Sequence, residues 1–136
     1  MRFLSMFASS GVALALTGCV VGTTRSDPPV VVVGDGALVI DWTINGVSDP
    51  NQCSQASATT LEIIVVPSGG HASTFSQDCE AFATSITLAP GTYSASAVLV
   101  DANGTARTTQ IDIDPFTLRG DDELHAPIDF PASSFF

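Results

Sequence analysis

Fourteen carboxylates, two histidines and three cysteines are the chemically versatile residues of this 136-residue sequence. Nucleophilic catalysis needs a serine on a constrained turn with a base beside it. Ser68-Gly69-Gly70-His71 holds suitable residue types in an unsuitable order, and no G-x-S-x-G is present. No G-x-G-x-x-G or phosphate-loop pattern occurs either. His71 and His125 are far apart in sequence and read as solvent-exposed side chains. A catalytic zinc site needs three protein ligands, and two scattered histidines do not supply them. The carboxylates are more suggestive. Asp112, Asp114, Asp121, Asp122 and Glu123 fall close together, and Asp101 with Asn103 marks a turn. Calcium takes six to eight oxygens, so an Asp-rich loop is a weak calcium candidate, although no D-x-[DN]-x-[DN]-G loop is present. The competing reading is a solvated acidic surface that keeps edge strands from associating. A glycosidase pair is compatible with residue type alone, but aromatic residues for a sugar cleft are few.

The elements that must carry these residues are strands. Leu38, Ile40, Trp42 and Ile44 alternate with Val39, Asp41 and Thr43, the period of a half-buried strand starting at Ala37. Asn45-Gly46 ends it. Asp49-Pro50 has the form of a helix N-cap followed by Pro at the first helical position, so a short helical turn is expected to about Ala56. Further strands are expected over Thr60–Val66, His71–Gln77, Phe82–Leu88, a run from Tyr93 to Leu99, and Ala106–Ile113. Asp114-Pro115 is expected to open a long acidic connection through Asp122. In the last strand Leu124, Ala126, Ile128 and Phe130 share one face. Glu123, His125, Pro127 and Asp129 share the other. Pro127 has no N–H, which predicts an edge position or a bulge.

About seven strands in roughly 95 residues, punctuated by turns, predict a single all-β Greek-key sandwich. Leu88-Ala89-Pro90-Gly91-Thr92-Tyr93 resembles the L-x-P-G-x-Y turn of immunoglobulin-like and transthyretin-like domains. There the tyrosine opens a strand leading into the core. The resemblance covers six residues, so it implies a fold and no activity.

The beginning of the chain has a different vocabulary. Arg2 is followed by an apolar stretch, Phe3 to Leu16, shorter than the roughly 20 residues a spanning helix requires. It ends in Leu16-Thr17-Gly18-Cys19, which resembles a bacterial lipobox at all four positions. The resemblance implies a signal peptide over residues 1–18, cleavage before Cys19, diacylglycerol on its thiol and a further acyl chain such as palmitate on the new amine. Two or more acyl chains give stable anchoring. Val20, where Asp often marks inner-membrane retention in such lipoproteins, favours the outer membrane. Residues 19–36 read as a tether, stiffened by Pro28-Pro29, and residues 37–136 as the domain. With Cys19 lipidated, Cys53 and Cys79 remain as a pair in a compartment that permits a disulfide. Two buried free thiols are the alternative. In a hairpin turning at Ser68–Gly70, Leu61 falls near Gln77 and Cys79 near Thr59. A Cys53–Cys79 bridge would then staple the helical turn to the sheet, contributing roughly 3 kcal/mol.

Charge narrows the partners. Four Lys+Arg, all arginine, stand against fourteen Asp+Glu, for a net charge of −10. Phosphate backbones are bound through clustered Arg and Lys, so nucleic acid is excluded. At 45% hydrophobic and 13% charged residues the chain is too apolar for an acidic disordered protein. The expected function is a lipid-anchored envelope module that binds a protein or glycan or serves structurally, without catalysis. The alternatives are a calcium-binding accessory module and a small hydrolase.

Overall fold

A computed structural model describes residues 34–136; the leader, the lipobox with Cys19 and the tether through residue 33 lie outside the described residues. Among the described residues, seven strands form two facing sheets. They are β1 (Gly36–Ile44), β2 (Thr60–Pro67), β3 (Ser73–Asp78), β4 (Ala83–Leu88), β5 (Gly91–Val100), β6 (Ile111–Leu118) and β7 (Glu123–Phe130). One sheet has the order β4-β1-β7 and the other β3-β2-β5-β6. The pairings are antiparallel except β1 with β7, which run parallel. The all-β sandwich expected from turn spacing is therefore the observed architecture. Leu38, Ile40, Trp42 and Ile44 of β1 meet Leu61, Ile63 and Val65 of β2 and Ala97 and Leu99 of β5 in one buried cluster. Period-two alternation accounts for this, because each strand presents every second side chain to the opposite sheet.

Local chemistry sets the ends of the elements. Asn45 and Gly46 both have positive φ, +53° and +76°, the left-handed pair that a tight two-residue turn demands. Asp49 caps α1 (Pro50–Gln55): its Oδ1 accepts from the Asn51 N–H at 2.9 Å, with Pro50 at the start of the helix. In the Pro-Gly turn the Tyr93 hydroxyl donates to the Ala89 carbonyl four residues upstream, and its ring stacks on Phe116 at 5.7 Å. This fixes the corner where β5 starts. The β2–β3 register places Leu61 opposite Gln77, and the Cys79 N–H donates to the Thr59 carbonyl. Cys53 and Cys79 are disulfide-bonded with Cα atoms 6.1 Å apart. The bridge ties α1 to the 3₁₀ turn Cys79–Ala81.

Several strand boundaries differ from the sequence-based expectation. The largest difference is β6, which spans Ile111–Leu118 rather than Ala106–Ile113. Tyr93 pairs with Phe116 and Ala95 with Ile113, so Asp114 and Pro115 together oppose Ser94. That extra residue makes a bulge, and on an edge strand the missing N–H of Pro115 costs no ladder bond. Asp114-Pro115 thus lies within a strand and does not open the connection. Residues 106–110 zigzag between two partners instead. Arg107 N donates to the Leu99 carbonyl and Thr109 N to the Ser134 carbonyl. The third strand starts at Ser73, leaving His71 in the turn. Phe82 precedes β4 with φ +56° and places its ring 6.2 Å from that of Trp42. Pro127 sits on edge strand β7, as its missing donor requires.

Candidate functional site

The strands send the candidate catalytic residues to separate places. His71 is exposed in the turn before β3. His125, on the outer face of β7, contacts Glu123 at 2.6 Å, with both side chains about 60% exposed. Among the described residues neither histidine hydrogen-bonds a serine. Asp112 and Asp114 share a shallow groove with His125 between edge strands β6 and β7. Asp122 accepts from the Arg119 N–H at 3.1 Å, and Asp121 has φ +61° in the β6–β7 turn. Among the described residues no three His, Cys, Asp or Glu side chains gather as a metal-binding set. The shift of β6 is the reason: Asp112 and Asp114 belong to a strand, and the acidic connection shortens to Arg119–Asp122. Asp101 Oδ1 accepts from the Asn103 and Thr105 N–H groups, each at 2.9 Å, so this carboxylate organises its own turn.

Two recesses lie at the pole of the sandwich where β1 and β7 end. The larger, about 830 Å³ and open to solvent, lies beside the disulfide and is lined by Ser54, Thr59, Asp78, Glu80, Asp101 and Asn103. Asp78 and Glu80 flank the buried, disulfide-bonded Cys79 and line this recess together with Asp101. The smaller recess, about 260 Å³, is lined by Asn45, Gln52, Gln55, Arg107, Phe135 and Phe136. Asn45 Nδ2 donates to Gln52 Oε1 at 3.2 Å, and Arg107 Nε donates to the Ala56 carbonyl at 3.1 Å. The Arg107 backbone is held on both sides, donating to the Leu99 carbonyl and accepting from Phe136 N. Four chain segments converge here. Their separation in sequence explains why no motif announced them. No protein-family model, curated protein or solved structure matches this chain.

Proposed function

We propose that this chain is a lipid-anchored cell-envelope lipoprotein, held in the outer membrane through Cys19, whose sandwich is a non-catalytic binding module. The observation that carries this reading is the complete Leu16-Thr17-Gly18-Cys19 sequence at the end of an apolar run. The direction of β1 adds to it. The chain enters the sandwich at Gly36, beside Leu88 and Glu123, and β1 runs nine residues, about 30 Å, to the opposite pole. Both recesses, α1 and the disulfide sit at that far pole. The segment that leads from Cys19 therefore joins the sandwich at the pole opposite both recesses. That neither histidine hydrogen-bonds a serine among the described residues supports binding rather than hydrolysis.

Detergent phase partitioning of the exported protein tests the anchor. The wild-type protein is expected in the detergent phase and Cys19→Ala in the aqueous phase. Equal membrane association of the two overturns the reading.

A further inference from the structure

We propose that the smaller recess at the far pole binds a single saccharide ring, making the module a glycan-recognition domain; this deepens the binding reading and does not depend on the lipid anchor. The argument begins with hydrogen-bonding type. A sugar hydroxyl both donates and accepts, and carboxamides match it because they also do both. Asn45, Gln52 and Gln55 supply three. The Asn45–Gln52 bond uses one donor and one acceptor, leaving Asn45 Oδ1 and Gln52 Nε2 available. Arg107 adds a planar fork whose Nε is already fixed on the Ala56 carbonyl. Its terminal nitrogens are free to donate to paired oxygens. Because the Arg107 backbone is tied to Leu99 and Phe136, little ordering remains to be done on binding.

Size and charge select among ligands. The recess holds about 260 Å³, below the range of roughly 300–1,000 Å³ for drug-sized ligands, so it accommodates one ring rather than an extended peptide. Phe136, 78% exposed, and the half-buried Phe135 offer an apolar wall for the C–H face of a sugar. A phosphate or free carboxylate would meet amide oxygens it cannot pair with, in a chain of net charge −10. One arginine does not offset that field.

Titration of the full ¹⁵N-labelled chain in detergent micelles tests the proposal, with N-acetylglucosamine trimer, the neutral glucose trimer maltotriose and inorganic phosphate as separate probes. The side-chain amide signals of Asn45, Gln52 and Gln55 and the Arg107 Nε–H signal are expected to move with at least one trimer. The dissociation constant should be on the order of 1 mM, as befits one ring in an open site. Arg107→Gln should weaken binding about tenfold, the scale of one lost charged hydrogen bond. Gln55→Ala, at an exposed helix position, should weaken it while leaving the remaining spectrum unchanged. Three results overturn the proposal: no movement with either trimer, movement only at other sites, or equal movement with phosphate. Any of these in a protein that still partitions into detergent rejects sugar recognition and leaves the anchor standing.

Discussion

Trp42 shows how one residue joins core to chemistry. Its ring is buried at 1% exposure, and its Nε1–H donates to the Cys79 carbonyl at 2.9 Å. The indole therefore packs the sandwich and satisfies a carbonyl of the turn that carries the disulfide. Trp42→Phe should cost about 1–3 kcal/mol through the orphaned carbonyl alone, and Trp42→Ala about 3–5 kcal/mol by adding a cavity. Urea denaturation of the two variants measures both. Trp42 is the protein's one tryptophan, so its fluorescence should be blue-shifted when folded and move to longer wavelength with unfolding. Emission like free indole in the folded protein would contradict the burial. The alternation around Trp42 made its inward direction legible from sequence. Its bond to Cys79 was not, because that contact spans 37 residues and depends on the β3–β4 crossing between sheets.

At the scale of elements, the disulfide joins the two short helical turns on either side of the β2–β3 hairpin. α1 is six residues long and the turn at Cys79 only three. A helix that short does not persist by itself in water. The bridge closes a loop with a sequence separation of 26, worth about 3–4 kcal/mol by the chain-entropy account. Cys53→Ala/Cys79→Ala should lose about that much, within a total stability of roughly 5–15 kcal/mol. Hydrogen exchange of the double variant should quicken first in α1 and at Asp78–Phe82, before the centres of β1 and β5. Uniform acceleration across all strands would show that the bridge acts on the whole domain instead. The bulge at Asp114-Pro115 carries a different lesson. A proline after an aspartate signals a strand end when read locally. Edge position and a two-against-one register let the strand continue.

For the whole molecule, net charge is the property that bears most directly on anionic surfaces. The proposed cleavage before Cys19 would remove Arg2 and leave Arg25, Arg107 and Arg119 against all fourteen acidic residues. Such a body is repelled by anionic lipid and nucleic acid, over about 8 Å at physiological salt. The Cys19→Ala protein should not sediment with phosphatidylglycerol vesicles at that salt, and its melting temperature should be the same in calcium and in chelator. The second expectation follows from the dispersal of Asp112, Asp114, Asp121, Asp122 and Glu123 over two strands and a turn. Sedimentation without calcium would refute the charge argument. A calcium-dependent rise in melting temperature would instead identify an acidic surface that gathers its ligands on binding the ion.

Sequence alone determined the period-two core, the Asn-Gly and Pro-Gly turns and the Asp49-Pro50 cap. These depend on neighbours within a few residues, where backbone sterics and alternation act directly. It also determined the candidate bridge, since Leu61, Gln77, Thr59 and Cys79 belong to one hairpin whose turn sets the register. Tertiary structure decided the rest. Only the pairing of β5 with β6 showed that Pro115 lies inside a strand. Only the strand order β3-β2-β5, in which Thr60 pairs with both Asp78 and Val100, placed Asp78 and Glu80 near Asp101. Residues 45, 52, 55, 107 and 135–136 form one recess because β1, α1, the β5–β6 connection and the segment after β7 end at one pole. No local pattern encodes that convergence: it results from burying two sheet faces against each other, which brings distant strand ends together whatever their side chains do there.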